Sequence, residues 1–193
     1  MTLATAKRFT ITEYHRLADL DFFTEDDRVE LIKGEIIKMA AKGKAHSTYN
    51  RRLIRELTTL LGNLATLQAQ DPIYIAPNSE PEPDIAILRN RTDDYFINHP
   101  TPSDIFLIIE VADSSLKYDQ EVKLPLYAEA GISDYWIFNL MAYYLECYSD
   151  PYQDLQGKFG YRHKSIILPN ESVKLPSFPE LILDLTKVFP VKN

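Results

Sequence analysis

The chain has 193 residues, 45% hydrophobic and 25% charged, proportions of a soluble globular domain that buries roughly 70% of its unfolded surface without a disulfide or metal staple. Its twelve prolines, six glycines and lack of low-complexity runs exclude a disordered or collagen-like chain, and no apolar stretch approaches the ~20 residues that span a bilayer, so no membrane partner is expected. The net charge of −7 argues on its face against a polyanionic partner, while a single cysteine, Cys147, and the absence of an apolar secretory core in residues 1–8 favour a cytoplasmic, reducing setting.

One domain over residues 1–193 is expected. Thr10 and Glu13 have capping-box spacing ahead of Tyr14, Leu17, Ala18 and Leu20, which predicts a short first helix. Arg28 to Met39 predicts two strands meeting in a hairpin at Lys33-Gly34. Residues 1–60 carry 11 basic and 9 acidic side chains, whereas residues 61–193 carry 10 and 19, so the charge is polarised. Its sharpest expression is 36–55, where Lys38, Lys42, Lys44, Arg51, Arg52 and Arg55 occur without an acid. That stretch is either a patch that contacts phosphates or a solvated helix face. From Ser47 to about Leu67, the residues Leu53, Ile54, Leu57, Leu60, Leu61, Leu64 and Leu67 recur at helical spacing and predict a long helix that presents Arg51, Arg52 and Arg55 away from its leucines.

Ile73–Ile75 and Asp84–Leu88 read as strands, separated by Pro77, Pro81 and Pro83, which fit only turns or strand ends. After a polar loop, 89–104, the run Ile105 to Val111 is apolar without alternation, the pattern of a central strand covered on both faces. Residues 119–130 predict a helix stopped at Gly131, followed by strands at Tyr135–Phe138 and Tyr143–Tyr148. Phe159 to Leu168 and Leu181 to Phe189 add a strand and closing turns. The sum is an α/β fold, a mixed sheet with helices on its faces.

Asp84 stands at the entrance to one apolar strand and Glu110 near the far end of the next. Neighbouring strands lie ~4.8 Å apart, so in suitable register the two carboxylates converge. Converging carboxylates repel, and a divalent cation with oxygen ligands relieves them. The plainer alternative is that Asp84 caps a turn after Pro83 and Glu110 meets solvent. Asp119, Lys123 and Tyr127 are spaced by four and share a helix face. Facing the sheet, Lys123 would bring an ammonium to the carboxylates; facing solvent, it would form a weak surface pair with Asp119. Pro125 lies inside this helix and lacks the N–H donor, which suggests a kink or a start near Lys123. His46 is either a phosphate contact, a helix-start residue or a surface histidine. Tyr135, Trp136, Phe138, Tyr143, Tyr144 and Tyr148 read as sheet packing rather than a base-stacking platform.

Taken together, Glu82-Pro-Asp84-Ile-Ala-Ile, Leu107-Ile-Ile-Glu110-Val-Ala-Asp113-Ser-Ser, Asp119 with Lys123 and Tyr127, Ala130-Gly131-Ile and Asp134-Tyr-Trp136 resemble the putative restriction-endonuclease family abundant in cyanobacteria, within the PD-(D/E)XK nuclease superfamily. Arg28 to Glu35 extends the likeness to residues 9–189. The resemblance implies a restriction-endonuclease-like mixed central sheet flanked by helices, with an extra N-terminal hairpin and C-terminal strands. It also implies Mg²⁺ or Mn²⁺ at acidic residues and hydrolysis of DNA phosphodiester bonds. Asp84 matches the Asp of the Pro-Asp element, and Glu110 the acidic residue of the second. Two residues after Glu110 stands Ala112, where the superfamily pattern has lysine; Lys123 on the following helix is the matching position. The Val111 carbonyl is implied as a further metal ligand, and Glu30 resembles the superfamily's additional N-terminal acid. Lys42, Lys44, His46, Arg51 and Arg52 are the expected contacts to the nucleic-acid backbone, and two-strand cleavage suggests a homodimer. The alternative, prompted by Ala112 and Pro125, is a catalytically inactive nucleic-acid or protein-binding module on the same fold.

Overall fold

The computed structural model describes residues 4–24 and 27–190. The part of the N-terminal reading that falls on residues 1–3 lies outside the described residues. The first helix, α1 (Ile11–Asp19), begins as its spacing predicts: Glu13 N donates to Thr10 Oγ1, and Thr10 N donates to the Glu13 carboxylate. The hairpin pairs β1 (Val29–Ile32) with β2 (Glu35–Lys38) through Lys33 and Gly34, both at positive φ, as a two-residue turn between twisted strands requires.

The leucine-rich helix, α2 (Lys44–Leu61), buries Tyr49, Leu53, Leu57 and Leu61. It stops six residues short of its predicted end. Gly62 adopts φ 50°, a conformation that breaks the helix, and the leucine spacing continues beyond it by coincidence. Leu64 is exposed, and Leu67 lies on a strand, β3 (Thr66–Gln68), that the spacing concealed. Ile73–Ile75 is also corrected. Both isoleucines are buried, yet flanking prolines deny the segment a regular ladder: it bridges Ile75 to Ser79 and otherwise gives single backbone bonds from Ile73 N to Pro81 O and from Tyr74 N to Pro100 O.

The central sheet adds β4 (Ile85–Leu88), β5 (Ile105–Ala112), β6 (Asp134–Asn139), β7 (Tyr144–Gln153) and β8 (Phe159–Ile167), in the order β3-β4-β5-β6-β7-β8. Every pairing is antiparallel except β5 with β6. A parallel pair needs a crossover, and here it is a helix in three pieces: α3 (Leu116–Tyr118), a π turn over Asp119–Lys123, and α4 (Leu124–Glu129). The helix expected over 119–130 is thus broken where Pro125 suggests, with α4 starting directly after Lys123, and the π turn before it is the feature the spacing does not show. Leu124 N donates to Asp119 O, five residues back, and Pro125, which has no N–H to give, occupies the first turn of α4, where none is needed. The C-terminal segment forms a hairpin of β9 (Ser172–Leu175) and β10 (Phe178–Asp184), with a 3-10 turn at Leu185–Lys187; β9 had no strong signature.

Side-chain alternation divides the core. Ile85, Ile87, Leu107, Ile109 and Val111 face α2 and the C-terminal hairpin, whereas Ala86, Leu88, Ile108 and Ala112 face α4 and Ile32 of β1. All eight residues of β5 except Phe106 are buried, as its unalternating pattern predicts. No helix among the described residues is long and apolar enough to cross a membrane.

Candidate active site

The ladder between β4 and β5 ends with Ile85 opposite Ile109, so Asp84 and Glu110 stand one residue beyond it, opposed and on one sheet face. Asp84 N donates to Glu110 Oε2 at 3.2 Å, and Val111 N donates to Asp84 Oδ2 at 2.9 Å. Side chains thus replace the ladder where the strands would otherwise leave backbone donors unpaired. Both carboxylates are buried.

The crossover delivers the cation. Lys123 Nζ lies 2.9 Å from Glu110 Oε1 and 3.5 Å from Glu30 Oε2, and Tyr127 OH donates to Glu110 Oε1 at 3.1 Å. Lys123, Asp119 and Tyr127 are all buried, so the face they share turns to the sheet, not to solvent. Glu30, on β1, accepts from Glu82 N and from Tyr118 OH. Asp119 accepts from Ser115 Oγ at 2.7 Å.

The basic stretch divides. Lys42 Nζ sits 3.3 Å from Asp84 Oδ1, His46 Nε2 is 2.8 Å from Asp84 Oδ2, and Asn50 Nδ2 donates to Asp84 Oδ1 at 3.3 Å. Lys44 and Arg51 are exposed and Arg52 is partly so. Lys42 and His46, expected at the nucleic-acid backbone, are thus turned onto an acid of the site. Asn50 carries no motif of its own, and Asp119 enters the sequence reading only as a neighbour of Lys123. The signal for both is spacing, since 46 and 50 share one face of α2, and 119, 123 and 127 are likewise spaced by four.

Burial raises the carboxyl of Asp84, but hydrogen bonding and charge from His46, the Val111 N–H and Lys42 outweigh it and hold the group at about 2. Glu110 is pushed the other way. Burial, joined by the charges of Asp84 and Asp119, lifts it to about 8 against the pull of Lys123. Burial also raises Asp119, to about 6, although Lys123 and Ser115 oppose it. Lys123 itself is held well above its ordinary range: burial would lower it, and Glu110, Tyr127, Glu30 and Asp119 prevail. These groups line a cleft of about 400 Å³ between the loop leading into α2 and the start of the crossover, with Glu82, Asp113 and Tyr118 in its wall.

The donor chemistry suits a hard divalent cation. Glu30, Asp84, Glu110 and Asp119 are buried in one cleft beside a single buried ammonium, and the burial and mutual repulsion that raise Glu110 and Asp119 are what a divalent cation bound through oxygen would relieve. Among the described residues no group of three or more His, Cys, Asp or Glu stands in a metal-holding arrangement. Mg²⁺ commonly takes one or two carboxylates and keeps several waters, so the opposed pair Asp84 and Glu110 meets its requirement.

Comparison with known proteins agrees with this architecture. The family model Uma2, described as "Putative restriction endonuclease", matches residues 11–186. Among solved structures, a putative nuclease belonging to DUF820 from Anabaena variabilis superposes with a TM-score of 0.71, covering 94% of this chain and 97% of that one at 16% sequence identity. At that identity the likeness concerns the fold. No functionally curated protein matches the chain.

Proposed function

We propose, from the premise that this chain belongs to the Uma2 family of putative restriction endonucleases, that it is a divalent-metal-dependent endonuclease hydrolysing DNA phosphodiester bonds. One observation carries the reading: two opposed carboxylates at the end of adjacent strands meet a buried ammonium from the following crossover in a single cleft, Lys123 Nζ lying 2.9 Å from Glu110.

Asp84 and Glu110 would hold Mg²⁺ or Mn²⁺. The Val111 carbonyl is proposed as a further ligand; the carbonyl and N–H of a strand residue point to the same side, and the Val111 N–H is directed at Asp84. Such an ion supplies Lewis-acid polarisation of the phosphate and a more acidic bound water. The chain's own groups do the rest. Lys123 enters the reaction as an ammonium, because its surroundings hold its proton firmly. It therefore orients the attacking water and meets charge developing on phosphate oxygen, rather than acting as a base. Glu30 from the hairpin and Tyr118 from α3 restrain that ammonium. Water oxygen bonds to phosphorus, the bond to one sugar oxygen breaks, and the proton given up by water ends on the departing alcohol or solvent.

Lys44, Arg51 and Arg52, on the outward part of α2, are proposed to hold flanking phosphates irrespective of base sequence. Cleavage of both strands calls for two sites, and a homodimer supplies them most simply; light scattering in the presence of duplex tests this. The central experiment incubates purified protein with plasmid, single-stranded and branched DNA in Mg²⁺ or Mn²⁺, alongside Asp84→Ala. Cleavage by the native chain and a loss of at least ~100-fold in the variant are expected. Equal cleavage by both would remove the assignment. Metal and DNA binding without cleavage would favour an inactive binding module.

A further inference from the structure

The two oxygens of Asp84 are held differently. Oδ2 has the close partners, His46 Nε2 at 2.8 Å and Val111 N at 2.9 Å, while Oδ1 has the distant ones, Asn50 Nδ2 and Lys42 Nζ, both at 3.3 Å. Two of these four partners, His46 and Asn50, come from one face of α2, and Lys42 comes from the loop that enters it.

A second feature sets His46 and Asn50 apart. Among the described residues, the buried side-chain nitrogen and oxygen atoms without a hydrogen-bond partner are His46 Nδ1 and Asn50 Oδ1. An orphaned buried polar atom costs stability, so a side chain placed only to support the fold would satisfy both of its polar atoms or be replaced by an apolar one. Each of these residues instead commits one atom to Asp84 and leaves the other unpaired. Lys42 differs again: its side chain is 21% exposed and lines the cleft, so its ammonium can swing to solvent at little cost.

We infer that α2 and the loop entering it grip Asp84 unequally: His46 is a positioning residue that anchors Oδ2, and Lys42 is a displaceable counter-cation on Oδ1, the oxygen left for a divalent ion. The inference rests on the proposed function, because it concerns how that ion reaches Asp84. It assigns opposite signs to two neighbours of one carboxylate. Removing the anchor lets the carboxylate rotate away and weakens metal binding. Removing Lys42 abolishes a competitor and strengthens it. A contribution to folding alone would give neither pattern.

Titrating the full chain with Mn²⁺ by calorimetry, without DNA, reads both effects, with thermal unfolding of each variant to verify the fold. Native protein should bind in a manner lost in Asp84→Ala. His46→Leu should bind ~10- to 100-fold more weakly, as is usual when the outer partner of a metal ligand is removed. His46→Gln, whose amide N–H₂ stands near the place of Nε2–H, should recover most of that loss. Lys42→Met, a change at a partly exposed side chain, should bind ~3-fold or more tightly. His46→Leu within twofold of native, or a weakening by Lys42→Met, would overturn the inference while leaving the metal reading intact. Should His46→Leu fail to fold, His46→Gln and Lys42→Met still decide it: Gln far weaker than native, or Met no tighter, refutes it. If native protein and Asp84→Ala bind Mn²⁺ alike, the metal reading falls, and the unequal grip with it.

Discussion

Lys123 and Glu110 form a buried ion pair whose parts are unequal in what they tolerate. Removing the ammonium alone leaves Glu110 and Glu30 facing each other in a medium that solvates neither, and such a break costs about 3–5 kcal/mol. Lys123→Met is therefore expected to abolish cleavage and, in urea unfolding with chelator present, to destabilise more at pH 9 than at pH 7, where the raised Glu110 carboxyl takes up a proton instead of standing as an unpaired charge. Adding Glu110→Gln should recover much of the stability, because the uncompensated charge is gone, but none of the activity. Asp134 offers a test away from the cleft. Burial alone raises its carboxyl to about 6, and no charge or hydrogen bond offsets it. A folded-state value above the unfolded one, ~3.9, means that its contribution is fully present below about pH 4 and is lost as pH rises through 6. Asp134→Asn should thus leave the melting temperature nearly unchanged at pH 4 and raise it by ~2–6 °C at pH 7.5, for a gain of about 1–2 kcal/mol. A gain equal at both pH values would refute the burial account.

At the scale of elements, the site depends on segments that are irregular for identifiable reasons. The π turn inserts one residue's worth of backbone between α3 and α4, and Asp119 and Lys123 stand at its two ends, both directed inward. The hairpin of β1 and β2 presents Glu30, and its turn is tied to the N-terminal segment by the Phe9 N–H donating to Gly34 O. Gly34 has φ 78°, and a Cβ there would lie 2.8 Å from Arg8 Cβ and 3.0 Å from the backbone of Phe9. Gly34→Ala is accordingly expected to cost more than the ~1 kcal/mol of a glycine replaced at positive φ in open space, such as Gly131, which meets nothing within 4 Å. Chemical denaturation of the two variants side by side gives the comparison. If Gly34→Ala cost no more than Gly131→Ala, the close approach would be without energetic weight.

For the whole molecule, net charge is a poor guide to partners. The chain carries −7, yet its first 60 residues hold 11 of its 21 basic side chains, and α2 concentrates several of them beside the acidic cleft. Each phosphate neutralised releases counterions, so affinity for duplex should fall linearly in log–log form with salt. Replacing Arg51 and Arg52 together by Ala is expected to reduce that slope by ~2 and to weaken binding alike for unrelated sequences, measured by fluorescence anisotropy in Ca²⁺. An unchanged slope would place the nucleic acid elsewhere.

Periodicity and special residues carried most of the fold into the sequence. The capping box at Thr10, the turn at Lys33-Gly34 and the unalternating β5 are each dictated by neighbours a few residues away, and each formed as predicted. The opposed placement of Asp84 and Glu110 was foreseeable only as a possibility, because it needs a register between strands that local sequence does not set. The end of α2 and the strand β3 were misread since leucine at helical spacing is equally apolar on a strand, and only packing against β4 chooses between them. Tertiary structure alone decided where the basic residues of α2 point. A cation is indifferent to solvent or to a buried carboxylate until the fold brings that carboxylate within 4 Å, and Asp84, 38 residues away from His46, is brought there by the sheet.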